Sequence, residues 1–155
     1  MGWLPGPICE LLEAALVAEL TAVRPDGRAI TYPLIPLWDG ERIYMTSSIL
    51  FSRKLDHLKR NPRVAVSLSD PVAMGGRADR ATIQGDARII EPDVHASWKR
   101  LLPLWRAKEP SIDWFLGQRV ALPLFFERST IEITPLRALY WPDGLAGTAP
   151  QEFAG

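Results

Sequence analysis

Ile8, Leu11, Leu12, Ala15 and Leu16 recur at helical spacing, which predicts an amphipathic cap helix from Pro7 to about Leu20, after a loose lead-in. Pro7 suits the first helical turn, where its missing N–H costs nothing. The period then shortens to two. Glu19 to Arg24 reads as a strand, Pro25-Asp26-Gly27 as a tight turn, and Arg28 to Trp38 as the returning strand. Asp39-Gly40 is a hairpin signal leading into a third strand, Arg42 to Ser47. Pro33 and Pro36 lie inside the second strand. Each lacks a ladder donor, so that strand must contain an end, a bulge or an edge with free backbone groups.

Ser52 can cap a helix running to about Arg60, with Leu55 and Leu58 as its buried stripe, and Asn61-Pro62 stops it. Val64, Val66 and Leu68 alternate as a fourth strand. A loop from Ser69 to Asp79, with Gly75-Gly76, precedes a fifth strand from about Arg80 to Ile90, where Gly85 marks a bulge. Pro92 opens a helix to Lys108, with Val94, Trp98, Leu101, Leu102 and Trp105 on one side, and a short helical piece covers Ile112 to Gly117. Leu124 to Thr134 is the sixth strand, and the tail from Trp141 is expected to fray. Hairpin-ordered strands with segregated helices predict one domain over residues 1–155, with its core at about 8–140. The fold class is mainly β (α+β), a six-stranded antiparallel barrel with helical caps.

Composition narrows the function classes. The 155 residues carry 18 basic and 18 acidic side chains, so no overall field gathers nucleic acid or an anionic membrane, and an anion site must be local. One cysteine excludes an internal disulfide and suits a reducing, cytoplasmic setting; two histidines and one cysteine exclude a structural zinc cluster. Nothing at the N-terminus reads as a signal peptide, and no apolar run is long enough to span a bilayer. Six tryptophans and fourteen prolines are many for this length, which points to indoles in an interface or ligand pocket.

The segment Thr46-Ser47-Ser48-Ile49-Leu50-Phe51-Ser52-Arg53-Lys54 sets four hydroxyls and two cations around a helix start. Unpaired N–H groups and the helix dipole favour an anion there, and Arg53 and Lys54 would add charge-assisted bonds, a geometry that suits phosphate. The plainer reading is a capping serine followed by solvated cations. His57 and His95 are each lone histidines on helices, and no trio for Ser/His/Asp catalysis is specified.

The order of these pieces resembles the pyridoxamine 5′-phosphate oxidase-like superfamily of split β-barrels. The similarity runs through Trp38-Asp39-Gly40-Glu41-Arg42-Ile43-Tyr44, then Ser52-Arg53-Lys54, then Asn61-Pro62-Arg63-Val64. It continues through Ala81-Thr82-Ile83-Gln84-Gly85-Asp86-Ala87 to Ile133-Thr134-Pro135-Leu136-Arg137. The resemblance implies a homodimer that holds FMN at its interface. It places Arg53 and Lys54, with Ser52, on the FMN phosphate, and Ser47 and Ser48 near the phosphate and ribityl chain. Tyr32, Pro33, Leu34, Ile35 and Pro36, on to Leu37, would lie against the isoalloxazine, and Arg80 falls near a ring-contacting position.

Two departures matter. True pyridoxamine phosphate oxidases begin and end the ring-facing strand with Arg and Lys, where this chain has Tyr32 and Leu37. Their C-terminal Arg/His-rich segment is replaced by Trp141-Pro142-Asp143-Gly144. The implied function is therefore that of a flavin or deazaflavin reductase: hydride passes from a reduced nicotinamide, NADH or NADPH, to FMN and on to a small conjugated acceptor. Alternatives are a deazaflavin cofactor, with Lys59 and Arg60 as extra cations, a non-catalytic flavin or haem carrier with His57 or His95 as axial ligand, or a domain with an empty groove.

Overall fold

In the computed structural model the described residues are 2–48, 52–91, 94–118 and 128–155, with Ser48, Val94, His95 and Trp98 described by backbone alone. The expected starts of the sixth strand and of the helix at Pro92, the loop 49–51, and the side-chain roles of Ser48, His95 and Trp98 lie outside these.

Helix α1 (Gly6–Ala14) buries Ile8, Leu11 and Leu12. It is shorter than expected. Ala15 is already extended, the Leu16 N–H bonds to the Ala73 carbonyl, and β1 (Ala18–Val23) takes over. Ala18, Leu20 and Ala22 are buried at a period of two, so sheet pairing claims residues that also fitted the helical pattern. The turn at Pro25-Asp26-Gly27 requires Gly27 at φ +82° and leads into β2 (Ala29–Leu34).

The expected single strand from Arg28 to Trp38 is broken at Ile35-Pro36, leaving β3 (Leu37–Trp38) as a separate pair. At the hairpin into β4 (Ile43–Ser48), Asp39 Oδ1 accepts the N–H groups of Glu41 (2.9 Å) and Arg42 (2.7 Å). Next come α2 (Arg53–Arg60), β5 (Arg63–Leu68) and β6 (Arg80–Ile90). They are followed by α3 (Val94–Lys108), α4 (Ile112–Leu116), β7 (Arg128–Trp141) and β8 (Gln151–Ala154).

The strand order is β2-β1-β5-β6-β7-β4-β3, with β8 paired to β7, and every pairing is antiparallel. The sheet curls into a split barrel with β2 and β3 at its two ends. Six strands are expected, and the described residues form eight. The β6–β7 ladder carries the expected bulge, a register shift between Gln84 and Gly85. A Cβ on Gly85 would stand 2.3 Å from the Thr134 carbonyl oxygen, so only glycine allows this approach.

The tail does not fray. Strand β7 continues to Trp141, β8 pairs with Arg137 to Tyr140, and the Trp3 indole donates to the Pro135 carbonyl (3.2 Å).

Leu20, Val66, Ile83, Met45 and Ile131 fill the barrel, with α1 and the Leu55 and Leu58 face of α2 packed against them. A second cluster lies on the outer side of β4, where Leu37 and Tyr44 meet Leu101 and Trp105 of α3 and Ile112 of α4. Burying each large side chain contributes about 1.5–3 kcal/mol, so packing on the sheet, more than helix propensity, holds these caps in place. Among the described residues no helix is long and apolar enough to cross a membrane.

Candidate functional site

Strand β4 ends and α2 begins at the same mouth of the barrel. Ser47 and Ser52, five apart in sequence, come together there with their Oγ atoms 2.8 Å apart. Ser52 stands at the N-cap of α2, yet its hydroxyl turns to Ser47 and caps nothing, leaving the first-turn amides without that acceptor. The expected capping serine is a positional cap only.

Arg53 is exposed at the helix start and Lys54 is half-buried. The Lys54 ammonium lies 5.1 Å from the centre of the Tyr32 ring. Burial, and secondarily the charge of Arg128, holds the Lys54 pKa below its ordinary value. Arg128 opens β7 opposite Ser48 in the ladder, and its Nη1 donates to Thr46 Oγ1 at 3.3 Å. Burial lowers its pKa as well.

Neither Arg53 nor Lys54 joins an ion pair among the described residues. Further along β7 the balance differs. Buried Glu132 accepts from Arg88 (2.7 Å) and Arg42 (3.4 Å), which gives that end of the strand a carboxylate between its cations. Nearby, Thr130 Oγ1 is buried without a hydrogen-bond partner among the described residues.

Tyr32 faces inward with Ile30 and Leu34, and α2 covers it. Its hydroxyl meets His57 Nδ1 at 3.3 Å, and burial raises its pKa. His57, a lone helical histidine in sequence, is thereby tied to the same mouth. Pro33 is exposed, Leu34 and Ile35 are half-buried, and Pro36 is buried. Ile35 packs on the second cluster beneath α3.

Tyr32, Ser47, Ser52, Arg53 and Lys54 therefore gather at one mouth, bordered by the broken, edge-forming strand. Arg80 does not join them within the chain. It pairs with Trp141 at the far end of β6, while Ile90 at the near end pairs with Thr130. Ten residues of strand, about 33 Å, lie between. There Arg80, Ser67, Thr82, Trp141 and Leu145 border a separate cleft of 280 Å³.

Sequence reasoning placed Thr46 in this segment but missed Arg128, its Thr46 bond and the Tyr32–His57 contact. Only the β4–β7 register brings Arg128 to the mouth, and that register joins residues 80 apart. The donor set, a guanidinium fork, an ammonium, paired hydroxyls and a helix start, fits a phosphoryl group.

Comparison with known proteins identifies relatives of the whole chain. The family model described as Pyridoxamine 5′-phosphate oxidase matches residues 5–142. An F420 reductase structure is 25% identical, with a TM-score of 0.61 over 87% of this chain and 98% of that one. An FAD-binding protein of Mesorhizobium loti is 18% identical, with a TM-score of 0.59 over 87% and 92% of the two chains. A heme binding protein of Mycobacterium smegmatis is 15% identical, with a TM-score of 0.64 over 97% of this chain and 59% of that one. The last two show the fold alone. No curated protein matches the chain by sequence.

Proposed function

The chain belongs to the pyridoxamine 5′-phosphate oxidase family, and from that premise we propose that it binds FMN and acts as an oxidoreductase on a small conjugated acceptor. One observation carries the reading: the half-buried Lys54 and the exposed Arg53 open α2 beside the Ser47–Ser52 hydroxyl pair, with Arg128 held on Thr46 of the adjoining strand. Cations, paired hydroxyls and a helix start converging on one half-buried mouth are the donors that a phosphoryl group takes.

In this reading Arg53, Lys54 and Arg128 hold the terminal phosphate. Ser47, Ser48 and Ser52 touch the phosphate and ribityl chain. The stretch from Tyr32 to Leu37, whose Pro36 carbonyl is held by Lys108, offers its remaining backbone groups to the polar edge of the ring. When bound, FMN supplies hydride transfer between NADH or NADPH and the acceptor; the chain supplies binding, orientation and exclusion of water. With Tyr32 and Leu37 in place of Arg and Lys, no cation anchors a second phosphate on the ring-facing strand, which disfavours a vitamin phosphate as substrate.

FMN titration followed by flavin fluorescence, with riboflavin in parallel, tests this. Each charge-assisted bond contributes about 1.5–3 kcal/mol, so the Arg53→Met/Lys54→Met variant should bind FMN roughly 100-fold more weakly or worse, with riboflavin binding unchanged. Equal FMN affinity in wild type and variant would overturn the reading. Bleaching of bound flavin by NADH or NADPH then tests the reaction.

The likeness to an F420 reductase favours a second reading, a deazaflavin in the same site. Its longer anionic tail would use Arg60, which is exposed on α2; Lys59 is already engaged by Glu91. Titration with F420 in the same assay separates the two cofactors.

A further inference from the structure

Lys108 closes α3, and its ammonium donates to the Leu12 carbonyl in the last turn of α1 (2.5 Å) and to the Pro36 carbonyl in the break between β2 and β3. The same side chain lines a cleft of 320 Å³ with Glu13, Leu37, Trp38, Leu104 and Ala107. A tetrahedral nitrogen has four positions. Here Cε takes one and two N–H groups are committed to carbonyls. The fourth position carries the only proton that can leave without breaking a hydrogen bond. Its departure leaves a lone pair on an amine fixed in orientation.

Burial favours that loss and lowers the pKa from 10.5 to about 8, while the charge of Glu13 on α1 opposes it. The remaining lining residues, from β3 and α3, are uncharged. None of the other three lysines is placed this way. Lys54 sits by Tyr32 and Arg128, Lys59 is paired with Glu91, and Lys99 is exposed.

We propose that the Lys108 cleft takes up small α,β-unsaturated carbonyl compounds and that the Lys108 amine adds to them covalently. The nitrogen lone pair forms a bond to the β-carbon. The carbon–carbon π pair moves to the α-carbon, which takes up the proton that nitrogen releases, so no leaving group or external oxidant is required. On reprotonation the product is a secondary ammonium with two N–H groups, enough to keep both the Leu12 and Pro36 bonds. The new carbon occupies the fourth position. An imine could not do this, because it surrenders at least one of the two donors. The apolar walls formed by Leu37, Trp38 and Leu104 suit an enone of a few carbons.

The full chain treated with methyl vinyl ketone and mapped by peptide mass spectrometry tests the site. At pH 8 about half of an amine with this pKa is neutral, against less than about 1% of an ordinary lysine, and lower basicity offsets part of that gain. Lys108 should be alkylated roughly tenfold faster than Lys54, Lys59 or Lys99, with a midpoint near pH 8 and saturation in ketone. The Leu104→Trp variant, which fills the cleft, should slow Lys108 and leave Lys99 unchanged. Lys108 reacting no faster than the other lysines, or at the same rate with the cleft filled, would sink the proposal.

Discussion

At the scale of single residues, the molecule separates charges that are satisfied internally from charges that are not. Asp79 is buried and accepts from Arg77 twice (Nε 3.0 Å, Nη2 2.8 Å) and from the Tyr140 hydroxyl (3.0 Å). The Arg77 bonds in particular hold its carboxyl below the usual carboxylate range. A depressed acid pKa adds stability that is present above the unfolded value and is lost as pH falls through the folded one. Asp79→Asn should therefore cost about 1–3 kcal/mol at neutral pH, and the gap to wild type should narrow progressively as pH falls through the ordinary aspartate range, about 4, and below it. Denaturant titrations across that range check it; a gap that persists in acid would assign the loss to packing instead. Among the described residues Lys54 has no such carboxylate partner, which is why its charge reads as addressed to a ligand.

At the scale of elements, the legible pieces were those whose signal is local. Asp39-Gly40 announced its hairpin because an Asx turn and a positive φ (Gly40, +97°) are written in adjacent residues. The Gly85 bulge and the start of α2 after Ser52 were legible for the same reason. Strand β8 was not. Its four residues lie among glycine, alanine and proline, and what makes them a strand is the unsatisfied edge of β7. Arg128 and Lys108 were missed because their roles depend on contacts 80 or more residues away in the one case and 72 in the other. Deleting residues 150–155 should lower Tm by several degrees and speed amide exchange at Leu139 and Tyr140, with little change in β4. Unaltered exchange along β7 would show that β8 contributes no protection there.

At the scale of the whole molecule, the distance between Arg80 and the Lys54 mouth becomes informative. If both serve one cofactor, they must come from different copies. The outer face of β1, β5, β6 and β7 holds a 620 Å³ depression bordered by Thr21, Ala65, Gln84 and Leu136. Arg80→Ala and Lys54→Met chains, each defective for FMN alone, should then complement when mixed. Random re-pairing makes half of the dimers mixed, each with one intact site, so about a quarter of wild-type sites should return. Recovery of none, in a sample shown by sedimentation to have exchanged subunits, would place Arg80 outside the site.

The gap at Ile35-Pro36 leaves the sheet with two ends that do not join. Whatever docks against that seam would be read by amide and carbonyl groups, which every residue except proline carries in full. Such a reader is insensitive to most mutations. If the proposed flavin docks there, substitutions along the seam should be tolerated far better than loss of the cations around it.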